Sequence, residues 1–363
     1  MTELMQCHNQ WKNRPADERF TSLPEMQQAA QIMKSRGKEL VVPSREIEFF
    51  SAENDLWVSL PSGGHMMTHH AFSQIAKLAD FPAGSLRELP PHLAAQVLNY
   101  KLMDALPSKD IGILTFEPET SPRLVRAQTG PKYGRVFNAD IIQSLIDRFG
   151  DGITGDFRVP GEFGKAVTVT KDNTTLFMND QGLFIFLADE VNRIEIPDRR
   201  NGQPGSLARG FFIKHSEVGT SKIILTHFLF DYVCCNRIVW GARDVVEVAV
   251  VHNANAPQKW LDEVKPTIDK LHSSSPQPII QAITDARDDR LGEPEDVTKF
   301  LANLVGVKRA DQVRMAHLEI EERPIETRWD AIVGITQFAQ DFQNTDVRLE
   351  FEQKAAELLP IAA

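Results

Sequence analysis

The fold is decided by residues 211–232, FFIKHSEVGTSKIILTHFLFDY. Two apolar runs in this stretch, Phe211 to Lys214 and Ile223 to Tyr232, are rich in the β-branched and aromatic side chains that favour strands. The residues between the runs are mostly polar and include a glycine, which is typical of a connection between strands. The stretch therefore predicts two strands of one sheet.

Similar short segments recur through the middle of the chain. Gly, Pro, Asn and Asp separate them, and hairpins and meanders join strands in this way. We therefore predict an α+β fold: a central, mostly antiparallel sheet with helices packed on it, followed by a C-terminal helical subdomain. The other predicted strands are Phe157 to Val159, Ala166 to Thr170, Thr175 to Met178, Leu183 to Leu187 and Val245 to Val251.

Local signals in the first third of the chain predict both strands and helices. Glu46 to Leu60 has the pattern of two strands joined by a polar turn around Ala52 to Asp55. Thr68 is expected to cap a helix that Phe81-Pro82 ends, and Pro90-Pro91 is expected to begin the next helix.

The patterns divide the 363 residues into three regions. Residues 1–122 form an N-terminal α+β region, residues 123–256 a β-rich core, and residues 257–363 a helical region. A chain of this length buries a core without disulfide bonds. Of the three cysteines, two are adjacent and one lies near the N-terminus, so they predict no disulfide framework and favour a reducing cytoplasm. No run approaches the roughly 20 apolar residues that cross a bilayer, and we expect no membrane partner.

The net charge of −10 is unevenly distributed along the chain. Basic and acidic side chains number 11 and 15 in residues 1–122, 16 and 15 in residues 123–256, and 13 and 20 in residues 257–363. The overall acidity argues against indiscriminate coating of duplex DNA, because polyanion binding needs clustered cations. The middle region is the one that is not acidic.

Two acid-free basic runs in the middle region predict binding of single-stranded nucleic acid. Cations can follow the phosphates while an aromatic ring, here Tyr133, stacks on an unpaired base. The alternative is a solvated sheet face whose arginines pair with Asp140, Asp198 or Glu217. The predicted phosphate contacts are Arg123, Arg126, Lys132 and Arg135 in the first run, and Arg199, Arg200, Arg209 and Lys214 in the second.

Common catalytic signatures are missing from the sequence. It contains no phosphate loop, no G-x-G-x-x-G, no H-E-x-x-H, no G-x-S-x-G and no paired C-x-x-C. His65, His69 and His70 lie close together, but no further ligand follows at the spacing that a metal site needs, so exposed or capping histidines are the preferred interpretation. We predict no metal and no cofactor, and a non-enzymatic role over an enzymatic one.

An enzymatic alternative centres on Cys234, which ends an apolar run. A nearby cation such as Arg237 would lower the pKa of its thiol. Together with Asn236 and His252, this cysteine would form a site for an anionic substrate. A buried structural cysteine is the competing interpretation.

Five segments occur in an informative order along the chain: Thr68 to Pro82, Leu93 to Leu102, Arg126 to Asn138, Asp231 to Gly241 and Val250 to Asn253. Together they resemble a phage- and plasmid-related family known as domain of unknown function 932. Within them, Gln74-Ile75 resembles the Gln-Leu pair of the family's helix. Val233, Cys234 and Asn236 are similar to its Cys-containing element, and His252 to its later histidine. Arg237 departs from the small residue usual after the asparagine.

The resemblance implies a mobile-element setting and no specific activity. Proteins from that setting often act on DNA, so the leading expectation is an accessory protein that binds single-stranded DNA, as an oligomer, in recombination or strand annealing. The alternatives are the Cys/Asn/His enzyme and a module that binds a host protein. A continuous basic groove would favour nucleic-acid binding, whereas scattered and paired arginines would favour the interaction module.

Overall fold

The structure, a computed structural model, contains two β-sheets with helices packed around them. Most strand pairs in both sheets are antiparallel, and the predicted α+β fold is confirmed. The structure describes residues 15–160, 168–199, 202, 204–231, 237–238, 248–273, 275, 277–342 and 345–359.

The strands and helices alternate irregularly along the chain. In chain order the strands are β1 (Arg19–Phe20), β2 (Gly37–Pro43), β3 (Glu48–Ala52), β4 (Asp55–Leu60), β5 (Gly63–Met67), β6 (Asp110–Phe116), β7 (Leu124–Thr129), β8 (Phe157–Arg158), β9 (Leu176–Met178), β10 (Leu183–Asp189), β11 (Ile194–Ile196), β12 (Gly205–His215), β13 (Ile223–Asp231), β14 (Arg237–Ile238) and β15 (Val248–Val250). The α-helices are α1 (Leu23–Ser35), α2 (His69–Leu78), α3 (Ala83–Glu88), α4 (Pro91–Asn99), α5 (Asn138–Phe149), α6 (Ala256–Lys259), α7 (Lys265–Ser273), α8 (Gln277–Asp288), α9 (Pro294–Val305), α10 (Val307–Glu321), α11 (Arg328–Ala339) and α12 (Thr345–Glu357).

The first sheet has the strand order β2-β6-β7-β5-β4-β3. Glu53 and Asn54 join β3 to β4 with φ angles of 53° and 63°, the left-handed pair that a tight hairpin turn requires. The hydroxyl of Thr68 accepts a hydrogen bond of 3.2 Å from the Ala71 backbone N–H, so the predicted cap of α2 is confirmed. The apolar sides of α2 and α4 pack on one face of this sheet.

The second sheet contains the two strands predicted from residues 211–232, β12 and β13, which pair with each other in antiparallel orientation. Its main order is β1-β9-β10-β12-β13-β14, with β8 on β10, β11 on β12 and β15 on β13. Phe212 lies opposite Thr226 in the β12–β13 pair. Of the predicted strand Ala166 to Thr170, residues 168–170 are not in a strand and the other two lie outside the described residues. Helices α1 and α5 cover one face of the sheet, where Leu23 and Leu145 are fully buried.

The C-terminal region is helical, as the pattern predicts. Helices α8 to α12 enclose a core that includes Trp329, Phe338 and Phe351. The same core takes in Leu207 and Leu229 from the second sheet, so the helical region packs directly on that sheet. No helix in the described ranges has the length and apolar character needed to cross a membrane.

The sheets do not follow the predicted region boundaries. β7 lies after residue 122 but is an inner strand of the first sheet, whereas β1 lies near the N-terminus and pairs with β9 of the second. Backbone hydrogen bonds between distant segments decide this membership, and composition along the chain does not report them.

Candidate functional site

The two sheets meet at a polar junction where the first predicted basic run lies. The loop after β7 runs along the segment that follows β12, and Val218 of that segment packs on Leu114 and Ala127 of the first sheet. His70 Nε2 and Gln74 Nε2 lie 3.1 and 3.0 Å from the Val218 carbonyl oxygen. We call the junction side chains the inter-sheet cluster, defined as Arg126, Tyr133, Arg135, His215, Glu217 and His252.

Arg126 and Glu217 form a buried ion pair at the centre of this cluster. The Nη1 and Oε1 atoms are 2.7 Å apart, and each side chain is 3% exposed. The other carboxylate oxygen of Glu217 accepts a 3.0 Å hydrogen bond from the Asn138 backbone N–H, at the start of α5. A carboxylate at a helix N-terminus compensates the partial positive charge there. The pair therefore fixes α5 against the first sheet.

Arg135 joins the same network from the loop. Its Nε lies 3.1 Å from a carboxylate oxygen of Glu39 in β2, and its side chain is 3% exposed. Its guanidinium also donates to the Glu217 carbonyl oxygen and lies 4.9 Å from the centre of the Tyr133 ring. The two arginines thus face two carboxylates, Glu217 of the cluster and Glu39 beside it, so their charges are balanced by acids of the same chain.

Aromatic and imidazole rings complete the cluster. Tyr133 stacks on His252 with ring centres 4.8 Å apart, and His252 lies 5.1 Å from His215. Burial, followed by the neighbouring His252, lowers the pKa of His215 to about 3. Burial also lowers the pKa of His252 and raises that of the Tyr133 phenol. All three rings are therefore neutral near pH 7.

Glycine is required where this loop passes the segment that follows β15. A Cβ atom at Gly134 would lie 1.9 Å from the Asn253 carbonyl oxygen, far inside any tolerable contact. The Gly134 carbonyl oxygen lies 3.1 Å from His252 Nδ1. This close approach places Tyr133 over the His252 ring.

The second basic run is paired as well. Arg199 Nη2 lies 2.7 Å from a carboxylate oxygen of Glu321 in α10, and both side chains are almost fully buried. Arg209 Nη2 lies 2.7 Å from the Asp189 carboxylate between neighbouring strands. Lys214 is partly exposed, and Arg200 lies outside the described residues.

Four of the eight predicted phosphate contacts are therefore not on the protein surface. Arg126, Arg135, Arg199 and Arg209 are buried because each neutralises a carboxylate, and a buried paired guanidinium cannot reach a phosphate. Of the alternative partners considered, Glu217 is a partner of Arg126, while Asp140 pairs with Lys34 at 2.5 Å and Asp198 with Arg287 at 3.9 Å.

Exposed cations remain at two positions of the first run. Lys132 is exposed in the turn before Tyr133. Arg123 is 43% exposed; its Nε lies 2.9 Å from Glu117, and its guanidinium also donates to the Ser62 carbonyl oxygen. Tyr133, the predicted stacking ring, already contacts His252 and Arg135.

Of the three predicted enzyme residues, the structure describes His252. His252 is held beside Tyr133, whereas Cys234 and Asn236 lie outside the described residues. The preferred interpretation of exposed or capping histidines is wrong for His65, which is buried in β5 with Nδ1 2.8 Å from the Gly63 carbonyl oxygen. His70 contacts Val218 at the inter-sheet junction. Within the described ranges, no three His, Cys, Asp or Glu side chains come together as metal ligands.

A second surface, which the sequence patterns did not single out, lies on the helical region. Met315 and Leu318 of α10 are 65% and 44% exposed although both are large and apolar. They line a groove of about 690 Å³ together with Val297 of α9 and Ile325 of the loop before α11. We call this surface the α10 groove. The available signal was that α10 carries apolar residues on more than one side: Ala310 and Val313 are buried in the core, whereas Met315 and Leu318 are exposed.

No family model, curated protein or solved structure matches this chain. The resemblance to domain of unknown function 932 therefore stays a prediction from the sequence. The geometry offers two kinds of chemistry: a charge-balanced, neutral-imidazole junction that joins two sheets, and an apolar groove open to solvent.

Proposed function

We propose that this protein is an interaction module that binds another protein through the α10 groove. The observation that carries the proposal is the exposure of Met315 and Leu318 beside a groove of about 690 Å³. Exposed apolar side chains that line a concave surface are typical of protein-binding sites. Burying both on a partner would remove apolar area from water, which is the main favourable term in association.

The arrangement of the arginines supports the same choice. Scattered and paired arginines favour an interaction module over a nucleic-acid groove. Arg126, Arg135, Arg199 and Arg209 are each paired with a carboxylate, and the pairs lie at the inter-sheet junction, against α10 and within the second sheet. Their charges stabilise contacts within the chain, so they contribute little to attraction of a polyanion.

Photocrosslinking tests the proposal directly. A photoreactive amino acid at Met315 should capture a distinct protein from nuclease-treated host cells. The matched control is Val41, which is also apolar and 61% exposed but lies on β2 of the first sheet. Crosslinking that is equal at the two positions, or absent at Met315, would remove the proposal.

Binding of single-stranded DNA is the second candidate function. The supporting observation is that Lys132 is exposed next to Tyr133 and that Arg123 is nearly half exposed. A role in recombination or annealing, as an oligomer, stays attached to this candidate. Anisotropy titration of a single-stranded oligonucleotide at two salt concentrations tests it, since phosphate contacts release counterions and must weaken with salt. Lys132→Ala should lower the affinity; salt-independent binding would contradict it.

A further inference from the structure

We infer that the α10 groove binds a cationic segment of the partner protein, one that carries apolar side chains between its lysines or arginines. The inference rests on the proposed interaction function and names the chemistry of the occupant. It follows from the shape of the groove, its apolar surface and the charge of its rim.

The groove has a buried apolar floor and an exposed apolar wall. Val297 and Ile325 form the floor and are only 3% and 6% exposed. Met315 and Leu318 form the exposed wall, and Pro294 and Pro324 also line the groove. Apolar side chains of a partner can therefore insert between α9 and α10 and bury both wall residues.

A shallower groove continues over the other side of α10. It measures about 560 Å³ and shares Asp311, Met315 and Leu318 with the first groove. Phe338 of α11 contributes to its lining. Met315 and Leu318 thus lie between two depressions. An amphipathic segment can contact both residues and place side chains in the depressions on either side.

Carboxylates outnumber cations around the two depressions. The two cations, Arg290 and Arg314, already face acids of the same rim, at 3.9 Å from Glu326 and 3.6 Å from Asp311. The rim therefore retains a net negative charge, and a positively charged partner segment is attracted to it. The acidic lining residues are Glu293, Asp311, Glu319, Glu326 and Asp341.

The net negative charge of the surrounding helical region also favours a positively charged occupant. Residues 257–363 hold 13 basic and 20 acidic side chains, the largest imbalance in the chain. Long-range repulsion from this region disfavours acidic segments and nucleic acid at the groove. A cationic amphipathic segment can pack its apolar side chains on the wall of the groove and pair its positive charges with the acidic rim.

Two synthetic peptides test the occupant with the full chain. Both carry the same leucine, methionine and phenylalanine at helical spacing, and the remaining positions are lysine in one and glutamate in the other. Fluorescence anisotropy should show binding of the lysine peptide and at least tenfold weaker binding of the glutamate peptide. Equal affinity for the two peptides, or binding of neither, would overturn the inference.

Matched variants locate the binding. Leu318→Ser should weaken binding of the lysine peptide at least tenfold because it removes apolar surface without adding charge, whereas Val41→Ser, at an exposed apolar site on the first sheet, should leave the affinity unchanged. Asp311→Asn with Glu319→Gln should weaken binding several-fold and reduce its salt dependence. Unchanged affinity in Leu318→Ser, with an unchanged melting curve by circular dichroism, would place the peptide elsewhere and exclude the groove.

The two proposals fail in distinguishable ways. If Met315 crosslinks a protein but the lysine peptide does not bind, the groove has a partner of different chemistry and only the cationic occupant is excluded. If the lysine peptide binds at the groove but no protein crosslinks from Met315 in cells, the interaction function is excluded.

Discussion

Arg126 shows how a residue can suggest one role in the sequence and have another in the fold. In the sequence it belongs to an acid-free basic run, yet in the structure it lies 2.7 Å from Glu217 with 3% of its side chain exposed. The run is acid-free only along the chain. Folding supplies the acid from the segment after β12, and no local pattern reports that contact.

Removing one partner of this buried pair should be costly. Arg126→Met leaves Glu217 charged and buried, so we expect the free energy of unfolding to fall by about 3–5 kcal/mol in urea denaturation. Lys132→Ala, in the same run but exposed, should change it by less than about 0.5 kcal/mol. Similar losses of unfolding free energy for the two variants would contradict the burial of Arg126 beside Glu217 and the exposure of Lys132. The double variant Arg126→Met with Glu217→Gln should lose less than the sum of the single losses.

Buried neutral histidines should make the protein sensitive to acid. The pKa of His215 is about 3 in the folded chain and near its ordinary value of 6.5 when unfolded. Between these values the unfolded chain binds the proton and the folded chain does not. The stability that this histidine contributes is therefore complete above about pH 6.5 and falls, by about 1.4 kcal/mol per pH unit, as the pH drops towards 3.

A comparison with His215→Gln isolates this contribution from that of titrating carboxylates. Urea unfolding at pH 7, 5.5 and 4.5 should give a shallower pH dependence for the variant. A variant with the same slope as the parent would show that other groups cause the acid sensitivity.

At the scale of single elements, the sequence was most informative where the signal was local. Thr68 as the cap of α2 and the turn between β3 and β4 depend on neighbours within a few residues. The helices after residue 257 also follow directly from apolar spacing. The α10 groove was missed because the same spacing places Met315 and Leu318 on an apolar face and does not say whether that face is covered.

The cap of α2 gives a direct test at this scale. Thr68→Ala removes the acceptor for the Ala71 N–H, and we expect the unfolding free energy to drop by about 1 kcal/mol. Thr68→Ser keeps the hydroxyl and should recover most of that loss. If the serine variant is as unstable as the alanine variant, the loss comes from packing of the methyl group and not from capping.

At the scale of the whole molecule, Arg199 connects the second sheet to the helical region. Its ion pair with Glu321 lies beside the shared core of Leu207, Leu229 and Trp329. Because sheet and helices share this core, we expect them to unfold together in one transition. This joint core could not be predicted from region boundaries drawn on composition.

Removing the Arg199–Glu321 ion pair should make the second sheet and the helical region unfold less cooperatively. Arg199→Met leaves Glu321 without its partner, and we expect differential scanning calorimetry to show a broader or split transition at a lower temperature. Arg290→Met removes an exposed pair at 3.9 Å and should leave a single, unshifted transition. A single sharp peak in Arg199→Met would show that the apolar contacts alone couple the parts.

The inter-sheet cluster has a mechanical consequence. Within the described part of the chain, Leu114, Ala127 and Val218 form a small apolar patch between the two sheets, and ion pairs and hydrogen bonds lie beside it. Ion pairs and hydrogen bonds break after small displacements. Each sheet, by contrast, is held by ladders of many backbone hydrogen bonds between neighbouring strands. Under a pulling force the molecule would part along this junction first, with both sheets still intact.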